Sequence, residues 1–314
     1  MTSVPPDAEV TAVIPTTLDR PSLLARALDS VRRQRGVGVD IVVAADVPHG
    51  HPLPDLGADV RVEIVGGKGA HAARNAGASV ATTPWVAFLD DDDAWEPDKL
   101  RLQLAAGRQC GAEAIVASRY RFVLDGHRWY ERPLKTLHDG QDISEYLFCA
   151  VTPVGPTGTL LMSSLLVSTS LVQRCPFSAD TPRGAEDLDF LLRAAKRHAA
   201  RVVQLQAPLV AYHYDTGRRH LSREGSWRDS LDWADANADL FTARSAAAYR
   251  LKLLGTPGGR AHLREVVVAA FRTGRPRAVD VAWALALTCV SPALRRSVAS
   301  RVLSLKARVA SQRG

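Results

Sequence analysis

The stretch "VAFLDDDDAWEPDKL", Val86–Leu100, decides how this chain is read. An apolar run, Val86 to Leu89, ends in four consecutive aspartates, Asp90 to Asp93. Like charges side by side repel one another, so the arrangement is costly unless a cation neutralises it. An apolar strand that stops on crowded carboxylates therefore implies a strand end facing a cationic partner.

Working outward, Val10–Ile14, Val39–Ala44 and Val60–Val65 precede it, and Trp85–Leu89 makes a fourth short β-branched or apolar run. Such runs, separated by helix-like segments, predict parallel strands joined by crossovers. Leu24, Ala27, Leu28 and Val31 share one helical face after Pro21, which supplies the first crossover. The segment holding Pro48, Pro52 and Pro54 reads as loop. Alternating units of this kind predict an α/β fold with a doubly wound, mainly parallel, Rossmann-like sheet, whose ligands lie beyond the carboxyl ends of the strands. Asp46 and Asp90–Asp93 both fall on that edge.

Further on, Ala112–Ser118, Arg121–Leu124 and Thr159–Val167 are expected as strands. Leu188, Leu191, Leu192 and Ala195 then make the stripe of a packed helix that begins at Glu186 and Asp187, with Asp189 and Arg193 as an i,i+4 pair. From about Ala234 the chain reads as helical, and Ser291-Pro292 opens a last helix with Leu294, Val298, Val302 and Leu305 on one side. This divides the chain into a domain at 1–233 and a basic helical C-terminal region at 234–314.

The net charge of +7 is uneven: residues 244–314 carry 14 Lys and Arg against Glu265 and Asp280, so the remainder is net acidic. The basic helices either lie on an anionic membrane surface or pack as an appendage with solvated or acid-paired charges. Aromatic residues do not interleave with them as a nucleic-acid stacking surface requires, so nucleic acid is not an expected partner. The N-terminal residues MTSVPPDAEV hold no secretory pattern, and the apolar run Val281–Val290 is too short for the ~20 residues of a membrane span. Cys110, Cys149, Cys175 and Cys289 are scattered without C-x-x-C pairing, as expected of free thiols in a cytoplasmic protein.

If Asp90–Asp93 is extended, Asp90 and Asp92 point the same way and Asp91 elsewhere. Two convergent carboxylates with open coordination positions suit Mg²⁺ or Mn²⁺ bridging to phosphate oxygens.

Four motifs together carry a family resemblance: "VIPT" at Val13–Thr16, "ARNAG" at Ala73–Gly77, "FLDDDDAWEPDKL" at Phe88–Leu100 and "EDLDFLLR" at Glu186–Arg193. In order and spacing the chain resembles the family 2 glycosyltransferases of GT-A fold, over roughly residues 10–225. The resemblance implies that Pro15 and Thr16 line a nucleotide pocket and that Asp46 accepts a hydrogen bond from the base of a UDP- or dTDP-type donor. It implies that Arg74 lies near the nucleotide, that Asp90 or Asp91 reaches the ribose, that Asp92 binds Mg²⁺ or Mn²⁺, and that Asp187 is the catalytic base. His213 completes the metal site or touches phosphate, with Asp215 and His220 as competitors for that role. Family members often read V-D-D-G-S after the second strand, whereas "VAADVPHG" keeps only Asp46 of the two acids.

The implied activity is inverting, metal-dependent transfer of one sugar from a nucleotide-sugar donor to a hydroxyl acceptor, in cell-surface glycan or glycolipid assembly. No Q-x-x-R-W motif of processive synthases is present. Two other readings remain open at this point: a nucleotidyltransferase on a similar sheet, though "IPTTLDRP" lacks the Gly-rich first loop it would need, and a non-catalytic nucleotide-sugar-binding scaffold.

Overall fold

The computed structural model describes residues 5, 7–124, 128–151, 158–215, 226–256 and 258–289. In chain order the regular elements are β1 (Ala8–Thr16), α1 (Pro21–Arg32), β2 (Gly38–Ala45), β3 (Val60–Ile64), α2 (Ala70–Ser79), β4 (Trp85–Phe88), β5 (Ala94–Trp95), α3 (Lys99–Gly107), β6 (Ala114–Leu124), β7 (Arg128–Arg132) and α4 (Ile143–Phe148). There follow β8 (Leu166–Ser168), α5 (Thr169–Arg174), α6 (Glu186–Arg197), β9 (Arg201–Tyr214), α7 (Trp227–Ala236), α8 (Ala243–Lys252), α9 (Leu263–Thr273) and α10 (Ala278–Cys289). They divide into two units. The first takes the described residues of Met1–His127, Leu160–Asp180 and Glu186–Thr216, and the second those of Arg128–Thr159, Thr181–Ala185 and Gly217–Gly314.

The first unit is built on a sheet of order β3-β2-β1-β4-β8-β6-β9-β5. β1 pairs in parallel with both β2 and β4, and β2 with β3, as the apolar runs predict. β1, β2 and β4 bury most of their side chains, Val10, Ala12, Val13, Ile14, Val42 and Val43 among them, whereas β3 at the sheet's edge buries only Val60. The chain runs outward from β1 to β3 and then crosses back to β4 on the other flank of β1. That reversal opens a crevice at the carboxyl ends of β1 and β4, where Thr16 and Asp90 sit.

Two details depart from the sequence reading. Ala112–Ser118 and Arg121–Leu124 form one strand, β6, whose register with β9 shifts around Arg119; that irregularity carries the pairing through the polar interruption. Thr159–Val167 is mostly not strand. Met162–Ser164 is a 3₁₀ turn, in which the Ser164 hydroxyl donates to Leu161 O, and only Leu166–Ser168 pairs with the sheet, antiparallel to both β4 and β6. The helix from Ser291 lies outside the described residues.

α2 lies close on β1. A Cβ on Gly77 would come within 2.4 Å of Val13 Cγ1, so the glycine of "ARNAG" permits the approach. Asn75, in the same motif, fixes the far side of the helix by exchanging two 2.8 Å hydrogen bonds with the backbone of Phe177.

The second unit contains β7, α4 and the helices α7 to α10. An aromatic cluster of Phe148, Trp233, Phe241 and Tyr249 forms its core. Buried Asp280 accepts from Arg244 Nε at 3.1 Å, from Ala150 N at 2.8 Å and from Arg277 N at 2.9 Å, while Arg250, itself buried, is hydrogen-bonded to Asp235. Two of the basic residues are thus turned inward on acids. No described helix is long and apolar enough to cross a membrane.

Candidate active site

The acidic run does not continue the strand. Asp93 N donates to Asp90 O at 3.0 Å, closing a turn that swings the chain from β4 into β5, which pairs antiparallel with β9. The run is therefore a turn and not an extended segment, and its cations are divided: Asp91 and Asp92 share one, and Asp90 faces another. The guanidinium of Arg20 bridges the carboxylates of Asp91 and Asp92, reaching Asp92 Oδ2 at 2.9 Å. Arg74 Nη2 donates to Asp90 Oδ1 at 3.0 Å. The repulsion implied by four adjacent aspartates is met by arginines from the end of the β1 loop and from α2, with Arg26 adding a bond to the Asp92 carbonyl oxygen.

Each aspartate has a different environment. Asp91 is only 1% exposed, and Thr16 at the end of β1 donates to it at 2.7 Å. Desolvation pushes its pKa to about 6, against the pull of Thr16 and Arg20. Asp93 is fully buried, accepting from the Ser163 hydroxyl at 2.6 Å and from His213 N at 3.1 Å; burial and the neighbouring Asp90 and Asp92 raise its pKa well above the usual range. It ties the 3₁₀ turn and β9 to the run. Asp90 and Asp92 keep 30% and 24% of their side-chain surface, so these two face the crevice.

Arg74 links the run to α6. Its side chain is 8% exposed, its Nη1 lies 3.1 Å from Asp187 Oδ1, and its guanidinium stacks over Phe177 at 5.6 Å. Burial works against its charge, but Asp187 and Asp90 outweigh that and raise its pKa. Asp187 stands in the first turn of α6 with its side chain one-third exposed. Desolvation raises its pKa to about 6, while Arg74 acts to lower it. A carboxylate with that pKa is ionised at neutral pH yet accepts a proton readily, as a general base requires.

Asp46 follows β2 as expected. Its two oxygens accept from Lys68 N at 2.7 Å and Gly69 N at 2.8 Å, clasping the Gly-rich approach to α2, where Gly69 adopts φ 96°. Pro15 lies half-buried beside Thr16 on β1. His213 lies near the end of β9, joined to the acidic run through its backbone, with Nδ1 3.1 Å from Ala211 O. Asp215 is exposed just past β9, and His220 lies outside the described residues.

Among the described residues, no three His, Cys, Asp or Glu side chains stand together as a metal-holding group. The donor set at the run is the two crevice-facing carboxylates, Asp92 and Asp90. That fits a hard cation such as Mg²⁺, which takes one or two protein carboxylates and completes its shell with water and substrate phosphate.

The sequence reading missed Arg20, Asn75, Asp93 and Ser163. Arg20 could have been found: it is the one basic residue in the loop that leaves β1, and β1 is the neighbour of the strand bearing the four aspartates.

Residues 11–165 match glycosyl transferase family 2. The matched stretch runs from β1 to just before β8 and includes the acidic run. It is 30% identical to the amylovoran biosynthesis glycosyltransferase AmsB of Erwinia amylovora over 182 residues, covering 57% of this chain and 58% of that protein. It is 29% identical to the pre-mycofactocin glycosyltransferase of Mycobacterium tuberculosis over 287 residues, 87% of this chain and 58% of that protein. The chain thus spans under two-thirds of the length of these curated relatives. In fold it matches residues 1–349 of S. aureus TarS, solved in complex with UDP-GlcNAc, with a TM-score of 0.52 and 14% identity over 84% of this chain and 71% of that one. The chain has the α/β architecture of GT-A glycosyltransferases, with C-terminal helices.

Proposed function

We propose that this chain transfers a single sugar from a UDP- or dTDP-type nucleotide sugar to a hydroxyl acceptor, with inversion at the anomeric carbon, in glycan or glycolipid assembly. One observation carries the reading: Arg74 holds the donor-edge carboxylate Asp90 and the α6 carboxylate Asp187 on a single guanidinium, at 3.0 and 3.1 Å. Residues far apart in sequence are thereby gathered at the crevice of the sheet. The names of AmsB and the pre-mycofactocin glycosyltransferase support glycosyl transfer, and the UDP-GlcNAc bound to TarS supports a UDP-type donor.

In this mechanism Pro15 and Thr16 line the nucleotide pocket, and Asp46 accepts from the base with a lone pair left over by its two backbone bonds. Asp90, exposed where Asp91 is buried, contacts the ribose. Asp92 would hold Mg²⁺ or Mn²⁺, with His213 as the further candidate ligand. When bound, the cation supplies positive charge against the diphosphate leaving group. Arg74 adds fixed charge on the same side. Asp187 takes the proton of the acceptor hydroxyl as that oxygen attacks the anomeric carbon, from the face opposite the departing diphosphate, which inverts the configuration.

The free Cys110, Cys149 and Cys175 suit a reducing, cytoplasmic setting. In the second unit α9 exposes Leu263, Val268 and Phe271 among Arg264 and Arg272. That mixture of apolar and basic side chains favours a peripheral contact with anionic lipid.

The test is the product. Incubated with a panel of UDP- and dTDP-sugars, Mn²⁺ and hydroxyl acceptors, the protein should release free nucleoside diphosphate in step with glycosylated acceptor. Pyrophosphate release instead would establish nucleotidyl transfer, and tight donor binding with no turnover would establish a scaffold.

A further inference from the structure

Arg20 is the N-terminal boundary residue of α1, directly before Pro21, and its carbonyl accepts from Leu23 N and Leu24 N. Its backbone is therefore fixed, yet its side chain makes no helix cap. It reaches across the crevice to Asp91 and Asp92. The two arginines of the site differ in how they are held. Arg74 is 8% exposed, sandwiched by Asp90, Asp187 and Phe177, whereas the Arg20 side chain is 38% exposed. Arg74 cannot leave without uncovering buried charge; Arg20 can swing into water.

We propose that Arg20 is a resident counter-cation that occupies the metal-facing carboxylate of Asp92 in the donor-free protein and releases it to a divalent ion when a nucleoside diphosphate arrives. The inference rests on the reading of Asp92 as the metal-binding carboxylate. Arg20 Nη1 holds Asp92 Oδ2, so a metal that takes this oxygen alone displaces Arg20 from Asp92 and sets a dication beside a guanidinium that Asp91 alone then balances. A diphosphate removes that cost, because its oxygens accept from the same planar fork that fits a carboxylate. Asp91 keeps its place throughout, since Thr16 holds it independently at 2.7 Å. The consequence is ordered assembly: the cation binds well only together with the diphosphate.

The test is Mn²⁺ binding followed by electron paramagnetic resonance on the full chain, with and without UDP, corrected for Mn²⁺–UDP formed in buffer. The wild-type protein should bind Mn²⁺ about tenfold more tightly with UDP than alone. Arg20→Gln should bind Mn²⁺ alone about tenfold more tightly than wild type and lose most of the UDP dependence, while Arg20→Lys, which keeps the charge but not the planar fork, should bind Mn²⁺ alone as wild type does and keep only part of the UDP dependence. Equal Mn²⁺ affinity in wild type and Arg20→Gln would overturn the proposal. Should Arg20→Gln fail to fold, equal wild-type affinity with and without UDP overturns it as well. If no form binds Mn²⁺ under either condition although UDP itself binds, the metal reading of Asp92 fails and takes this inference with it, an outcome distinct from equal affinities.

Discussion

Two clusters of buried charge, one in each unit, handle the same electrostatic difficulty in opposite ways. Around Asp280 the carboxylate is enclosed, with Arg244 and two backbone N–H groups filling its oxygens. Around Asp90–Asp93 four carboxylates crowd together, two are driven inward with raised pKa values, and the other two are held at the crevice by arginines that also serve neighbours. The first cluster is complete and serves the fold. The second leaves acceptor capacity at an open edge, at the switch point of the sheet, which is where charge is worth keeping only if something binds it.

The contrast can be broken or sharpened by substitution. The largest effect is expected at the open cluster: Asp187→Asn should lower turnover about 10²–10⁴-fold while UDP affinity, by calorimetry, changes less than about threefold. A comparable loss in affinity and rate would make Asp187 a donor ligand and not a base. At the closed cluster, Asp280→Ala should lower stability by about 3–5 kcal/mol in urea unfolding, because Arg244 and two backbone donors lose their acceptor together. A change below about 1 kcal/mol would show that the pair is not the closed structural element described here.

A smaller effect concerns pH. Asp187, with its pKa raised to about 6, must be ionised to act, so kcat/KM should fall about tenfold per unit as pH drops below about 6. Asp91 titrates in the same range, and Arg74 separates the two because it touches Asp187 and not Asp91. Its charge lowers the Asp187 pKa, so Arg74→Gln should move the acid limb upward. An unmoved limb would assign it to another group.

The sequence revealed the fold better than the site. β1, β2 and β4 are legible because strands of a sheet covered on both faces read as nearly unbroken apolar runs, and β3, Val60–Ile64, because its apolar residues alternate with Arg61 and Glu63. β8 is not, because in Thr159–Val167 burial and strand are different things: Met162 is buried in a 3₁₀ turn. The acidic run announced a need for cations, and its position after a strand placed it on the binding edge. Which residues meet that need is a property of the topology. Arg20 reaches Asp92 only because β1 lies beside β4, and Arg74 reaches Asp187 only because α2 and α6 converge there. Asp90 and Asp92 do face the crevice while Asp91 is buried, but the extended premise behind that expectation was wrong for a local reason: Asp93 N turns back onto Asp90 O, so a turn and not a strand sets the pattern.

The claim that the crowded carboxylates form a cation and diphosphate site is tested most directly by a crystal soaked with UDP and MnCl₂ and measured for anomalous scattering from manganese. A peak beside Asp92 that also contacts the UDP phosphates is the predicted result. UDP bound elsewhere, or bound in the crevice with no metal and Arg20 still on Asp92, would contradict it.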